Sequence, residues 1–284
     1  MILKLSNTSN NINLLTQYLC EVDNDFEIPL SSRTELKIFS LKLLLHGHVF
    51  FAIEKKQAVG LVAFYCNNYE SHQAYIPILS VKQNYRSKGY ARQLINIAIN
   101  VCRLYKMNTI SVDSINPIAI TLYKSVGFKT YKTDDITGMT KEYMTLNIPQ
   151  ITVTNLLTFL QEINSEYVPN LDKKVGLSDY VDKILTKASF LIECDKNGIV
   201  GLVVFYCNNI NNLKAYIPLV GVLPRAQHQG IATRMMEIVC QYIKEQKFKV
   251  IGIHSNNPIA IKAYQKLGFR ILNENERKYL EKII

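Results

Sequence analysis

Two short stretches of this chain carry residue types that could grip a phosphorylated ligand and pass a proton beside it. The first, Arg86-Ser87-Lys88-Gly89-Tyr90-Ala91, follows a strand-like run at 73–81 and opens a helical pattern at about 89–106. A glycine at a strand-to-helix turn lets backbone amides come close to a ligand, and the helix N-terminus adds unpaired N–H groups with a partial positive charge. The second stretch begins 27 residues after Gly89 with Asn116-Pro117, and continues through Ala119, Tyr123 and Gly127-Phe128. An Asn before a Pro can cap the following helix or hydrogen-bond a ligand. A Tyr on that helix can serve as a general acid, or it can be a core aromatic, since Ile120, Tyr123 and Lys124 fit helical spacing.

Both stretches occur twice, at a fixed offset of 141 residues. Gln227-His228-Gln229-Gly230-Ile231-Ala232 repeats the turn, and Asn257-Pro258, Ala260, Tyr264 and Gly268-Phe269 repeat its companion. Between 60–131 and 201–272, 27 of 72 gap-free positions are identical, including Ala74-Tyr75-Ile76-Pro77 against Ala215-Tyr216-Ile217-Pro218. A period this long makes each copy a complete globular unit rather than a solenoid repeat. The boundary is placed at Asn147-Ile148-Pro149-Gln150, giving domains 1–148 and 149–284, because Pro149 breaks the run.

Each copy reads alike. Residues 2–5 alternate as a strand, and Ile151 and Val153 alternate in the second copy before Thr154, a candidate cap. First helices carry Leu14, Leu15, Tyr18, Leu19 and Leu156, Leu157, Leu160; second helices are expected at 33–46 and 178–188. Strands follow at 49–54, 58–66 and 73–81, mirrored at 189–194, 199–207 and 214–222. The long helix buries Leu94, Ile95, Ala98, Val101, Cys102 and Tyr105, echoed by Met235, Ile238, Val239, Tyr242 and Ile243. A strand at 109–113, a helix at 117–126 and strands near 128–133 and 141–148 close the unit. This order predicts an α/β (α+β) fold, with a mixed, mostly antiparallel sheet flanked by helices in each copy.

On the turn and the Asn…Ala…Tyr…Gly-Phe segment the chain resembles, twice over, the GNAT family of acetyl-CoA-dependent N-acetyltransferases, across 49–146 and 189–282. The resemblance is weak in 1–48 and 151–188. It implies acetyl-CoA as acyl donor and a small amine as acceptor. Backbone groups of Leu79-Ser80-Val81 and Val220-Gly221-Val222 would meet the pantetheine arm and acetyl carbonyl. Arg86, Ser87, Lys88, Gly89, Tyr90, Ala91 and Arg92, and likewise Gln227, His228, Gln229, Gly230, Ile231, Ala232 and Thr233, would surround the pyrophosphate. Asn116 and Asn257 would bond the pantetheine, and Tyr123 and Tyr264 would protonate the departing thiolate. The second copy fits the family turn slightly better through Val222-Leu223-Pro224 and Gln227.

The general base departs from the family pattern. Where some members carry Glu on the strand before the Asn, this chain has Ser111 and Gly252, neither able to take a proton. Two residues on, hence on the same strand face, stand Asp113 and His254, the candidates for that role. Asp113 could instead pair with a cation. The loops Phe26-Glu27-Ile28-Pro29-Leu30 and Tyr167-Val168-Pro169-Asn170-Leu171 share an aromatic and Pro pattern where the family lays its acceptor. Glu27 or Glu166 there could receive an amine, or the loops could simply pack.

Net charge is +10, split evenly as 16 minus 11 up to residue 148 and 17 minus 12 beyond it. That evenness suits two sites for an anionic ligand, or a compositional bias toward Lys, and argues against a dedicated nucleic-acid domain. Six cysteines without a CxxC pair or metal-ligand spacing point to reduced thiols and no metal. The start lacks a signal-peptide pattern and the longest apolar run, 199–207, is too short for a bilayer, so a cytoplasmic protein without membrane contact is expected. It would be a monomer or homodimer. Three other functions compete: one catalytic copy beside a structural one, a non-catalytic acyl-CoA-binding module, and a peptidyltransferase using aminoacyl-tRNA. The last ordinarily has no need of the pyrophosphate turn.

Overall fold

A computed structural model describes residues 2–136, 138–167, 169–195, 197–273 and 277–284. The chain divides into two compact units, Met1–Pro149 and Gln150–Ile284. In the first, the order is β1 (Ile2–Leu5), α1 (Ser9–Val22), α2 (Leu36–His46), β2 (His48–Glu54), β3 (Gln57–Asn68), β4 (Gln73–Val81), α3 (Tyr90–Leu104), β5 (Thr109–Ser114), α4 (Pro117–Val126), β6 (Lys129–Ile136) and β7 (Met139–Asn147). The second has α5 (Val153–Glu162), α6 (Leu177–Lys187), β8 (Ser189–Asp195), β9 (Gly198–Asn209), β10 (Lys214–Val222), α7 (Ile231–Glu245), β11 (Val250–Ser255), α8 (Pro258–Lys266), β12 (Arg270–Ile271) and β13 (Lys278–Ile283). Short 3-10 turns join several of these.

The first unit is one seven-stranded sheet in the order β1-β2-β3-β4-β5-β7-β6, and the second a six-stranded sheet β12-β13-β11-β10-β9-β8. Among the described residues only β4 with β5, and β10 with β11, run parallel. One face of the first sheet packs Leu61, Ala63 and Ile78 against Leu15, Leu19 and Leu43 of α1 and α2. On the other, a Cβ added to Gly60 would touch Leu94 of α3, so α3 lies on the opposite side.

The expected opening strand of the second copy is not formed. Thr152, not Thr154, is the N-cap of α5: its hydroxyl accepts from Asn155 N–H while the Asn155 side chain accepts from Thr152 N–H. This reciprocal cap starts the helix at Val153 and outcompetes a two-residue alternation of Ile151 and Val153. In the first copy Thr8 caps α1, far enough on for Ile2–Leu5 to pair with β2.

Candidate functional site

The site is built where the parallel strands part. β4 pairs with β5 only from Gln73 to Ile76, yet stays paired to β3 up to Val81. β10 does the same, with β11 as far as Ile217 and with β9 up to Val222. At the parting point sit Pro77 and Pro218. Each lies in a register shift where three steps along β4 or β10 oppose two on the neighbouring strand. Proline has no N–H for a ladder and is confined within sheets to edges and bulges, so this residue ends one pairing and bends the strand away.

Beyond the bulge, ladder phase decides which backbone groups face the gap. Lys82 N–H donates to the Val59 carbonyl and Leu223 N–H to that of Val200, both at 2.9 Å. Antiparallel pairing alternates, so Leu79 and Val81, and Val220 and Val222, turn their N–H groups toward the opening. Ser80 and Gly221, between them, turn their backbone groups into the ladders with β3 and β9. Three carbonyls on the open side are already engaged. Arg86 Nε donates to Val81 O at 3.0 Å, Gln227 Nε2 to Val222 O at 3.2 Å, and the Tyr167 hydroxyl to Val220 O at 2.7 Å. Arg86 also reaches Asp25, and Gln227 reaches Glu166, so these two side chains staple the turn to the strand and to the preceding loop. Val168 of that loop lies outside the described residues.

The glycine turns follow. Gly89 and Gly230 are the N-caps of α3 and α7 with φ of 82° and 73°, and no side chain caps either helix. Ser87 and His228 both take φ of 61°, a left-handed conformation unusual for non-glycine residues. An added Cβ on either Gly meets nothing within 4 Å, so the space in front of the helix N-terminus is open. The N–H groups of Tyr90, Ala91 and Arg92, and of Ile231, Ala232 and Thr233, are the first of their helices and have no helical acceptor. Lys88 and the Tyr90 hydroxyl turn to Glu54, and Arg92 to the Ser125 hydroxyl at 2.7 Å. Gln229 is exposed. Unpaired amides facing open space, with a gap between strands behind them, fit the diphosphate and pantetheine of a coenzyme A thioester.

Asn116 and Asn257 are helix N-caps. Asn116 Oδ1 accepts from Ala119 N–H at 2.9 Å; Asn257 Oδ1 accepts from Ile259 and Ala260 N–H at 2.9 and 3.2 Å. The carboxamide NH2 is what remains to donate outward, and in the first unit it reaches Glu27. Tyr123 and Tyr264 are buried against Phe128 and Phe269. Burial raises both phenols above their ordinary pKa, with nearby Tyr75 and Asp113 adding to the effect at Tyr123. Each therefore keeps its proton.

Asp113 and His254 come to equivalent places with different surroundings. Asp113 Oδ1 accepts from the Tyr75 hydroxyl at 2.5 Å and Oδ2 pairs with Lys141 Nζ at 2.6 Å. His254 Nδ1 lies 3.1 Å from the Tyr216 hydroxyl, and its ring lies 4.6 Å from that of Tyr279. Burial lowers the imidazole below its ordinary pKa, and Arg277 and Lys214 push the same way. Gly252 has its own reason: a Cβ there would collide with the Tyr279 hydroxyl. The sequence reading missed Tyr75 and Tyr216. Their signal is the identical Ala-Tyr-Ile-Pro of both copies, which puts the Tyr two residues before the bulge.

Each unit also has an open cleft bordered by that Tyr. The first, about 570 Å³, is lined by Lys42, His46, Tyr65, Asn67, Asn68, Gln73, Ala74, Tyr75, Ser111 and Tyr131. The second, about 470 Å³, is lined by Lys183, Lys187, Tyr206, Asn208, Asn209, Lys214 and Tyr216. Most of these match at the offset of 141. No metal-binding group of His, Cys, Asp or Glu occurs among the described residues, and none of the described helices is long and apolar enough to cross a membrane.

A fold of this kind, with a parted parallel pair and a glycine turn behind it, is matched by the family model for the acetyltransferase (GNAT) family, over residues 16–128 and again over 157–269. The chain belongs to that family, in two tandem copies. Similar solved structures include a GNAT-family acetyltransferase from Staphylococcus aureus, with 17% identity, 52% of this chain and 100% of that one covered, and a TM-score of 0.43. The ribosomal-protein-S18-alanine N-acetyltransferase of Escherichia coli has 16% identity, 54% and 97% coverage and a TM-score of 0.43. The PaiA N-acetyltransferase of Thermoplasma acidophilum, in complex with coenzyme A, has 14% identity, 48% and 97% coverage and a TM-score of 0.41.

Proposed function

We propose that this protein is an acetyl-CoA-dependent N-acetyltransferase acting on the amine of a small molecule, with an amino sugar or sugar nucleotide as the preferred acceptor. The observation that carries the reading is the parted strand pair that leads, in both units, to a helix N-terminus with open space before it. Bound acetyl-CoA supplies the acetyl thioester. The first-turn amides of α3 and α7 would hold its diphosphate, and the N–H groups of Leu79 and Val81, or Val220 and Val222, would bind in the gap and stabilise developing negative charge on oxygen. Tyr264 or Tyr123, protonated by burial, would give a proton to the leaving sulfur.

The base favours the second unit as the working copy. The lowered pKa of His254 favours its neutral form at neutral pH, and in the tautomer whose Nδ1–H donates to the Tyr216 oxygen, Nε2 would keep a lone pair for the amine's proton. Both Asp113 oxygens are occupied by Tyr75 and Lys141. This supports one catalytic unit with the other in a structural or binding role. The test follows free thiol with acetyl-CoA and a panel of amines. Tyr264→Phe is expected to abolish most turnover and Tyr123→Phe to spare it. Coenzyme A binding without turnover on any amine would overturn the enzymatic reading in favour of a non-catalytic module.

A further inference from the structure

The cleft of the second unit adjoins His254 through one side chain, since Tyr216 lines the cleft and lies 3.1 Å from His254 Nδ1. Three of its seven lining residues are lysines and none is acidic. Lys214 pairs with Glu281, but Lys183 and Lys187 have no ion pair among the described residues. They stand at i and i+4 toward the C-terminal end of α6, with Lys187 in its last turn. A helix C-terminus favours one cation, whereas two at this spacing repel each other, so the pair is a local cost unless an anion lies between them. Tyr206 also lines this cleft, and its hydroxyl, shielded from water, has no hydrogen-bond partner among the described residues. In the first unit Lys42 and His46 hold the corresponding helix positions, so one of the two lysines recurs there.

We infer that this cleft reads an anionic group on the acceptor, with Lys183 and Lys187 holding a phosphate or carboxylate while the acceptor's amine reaches His254. The inference rests on the acetyltransferase reading and narrows it to amines that carry a negative charge. The same cations oppose the ammonium form of the amine, which must be neutral to attack, so the field that binds the anion also favours the reactive state. Polyamines, cationic throughout, are excluded as preferred acceptors.

The test compares two matched pairs with the full chain and acetyl-CoA: glucosamine 6-phosphate against glucosamine, and alanine against alaninamide. In at least one pair the anionic member is expected to have the higher kcat/KM by about tenfold or more, and the pair identifies phosphate or carboxylate. A Lys183→Gln/Lys187→Gln double variant is expected to erase that preference, and the double Arg variant to retain it. No preference in either pair, or a preference that survives the double Gln variant, would overturn the inference. Should no acceptor turn over, calorimetric titration with glucosamine 6-phosphate and with alanine separates the two claims. Binding lost with Lys183→Gln/Lys187→Gln would uphold the cleft and remove the transferase reading, and no binding of either probe would overturn the cleft as well.

Discussion

Asp113 and His254 occupy one place in two copies of a fold, and the environments have settled on opposite solutions. Around Asp113 the first unit supplies a cation, Lys141, and a phenol donor, so the carboxylate is fully paired. Around His254 the second unit supplies Tyr279 at the position facing it across β13, where Tyr143 faces Asp113 across β7. Tyr279 leans over Gly252, which has no side chain to obstruct it, whereas Ser111 stands at the same point in the first unit. The exchange of Ser for Gly is therefore tied to how the neighbouring aromatic packs and not to the loss of a base alone. Charge pairing occupies both oxygens of one residue; partial burial without a counter-ion favours the neutral imidazole at the other.

The largest expected effect breaks this comparison directly. His254→Gln should lower kcat by about a hundredfold or more, the usual scale of a lost general base, and Asp113→Asn should cost at least ~10-fold less. The pH profile carries the sign. A base must be deprotonated to work, and His254 is depressed below its ordinary 6.5. At saturating acceptor, kcat should therefore stay level from alkaline pH down through neutrality and fall only below pH 6.5, as the imidazole takes up a proton. His254→Gln should remove that acid limb along with most of the rate. A limb centred above 6.5, or one that persists in the variant, would move the base elsewhere.

Why the turn and the helices were legible while these surroundings were not follows from the range of each signal. Gly89 and Gly230, the Asn-Pro caps and the long amphipathic helices are local patterns, written within one or two turns of chain. Tyr75 meets Asp113 from 38 residues away, and Lys141 reaches it from another strand, so neither pairing has a local signature. Pro77 and Pro218 were visible, but reading them as the point where two strands part requires knowing which neighbour each strand loses. The second copy's missing edge strand failed for the opposite reason, since the cap pair Thr152 and Asn155 decided a segment that hydrophobic alternation had pointed elsewhere.

A smaller effect tests how far the two units are interchangeable. Ser80 in the first unit and Gly221 in the second are equivalent, and their neighbours compensate: the Tyr18 hydroxyl lies 3.1 Å from Ser80 Oγ, with Val22 nearby in the same core. A Cβ on Gly221 would lie 2.6 Å from Ile163 Cδ1 and 3.3 Å from the Tyr167 hydroxyl. Gly221→Ser should thus destabilise the second unit by about 1–3 kcal/mol through overpacking. Adding Ile163→Val, which installs the first unit's residue, should recover part of the loss, with a coupling of at least ~0.5 kcal/mol in urea unfolding. Additive effects would mean that the two positions are not a compensated pair.

The smallest effect concerns the contact between the first two helices of each unit. In the first, Ser40 is fully buried; its hydroxyl donates to Leu36 O at 2.8 Å and lies 3.0 Å from Thr16 Oγ1, which also bonds Ile12 O. The second unit has Leu157 and Val181 at these positions, and Val181 is fully buried. A buried polar pair is costly to halve and cheap to replace whole, because a single deletion strands one group without its partner. Ser40→Ala and Thr16→Val should each cost about 1 kcal/mol by thermal or urea unfolding, and the double variant less than their sum. If the double variant instead loses the full sum, each hydroxyl is stabilised by its own helix carbonyl, and the link between α1 and α2 is apolar packing in both units alike.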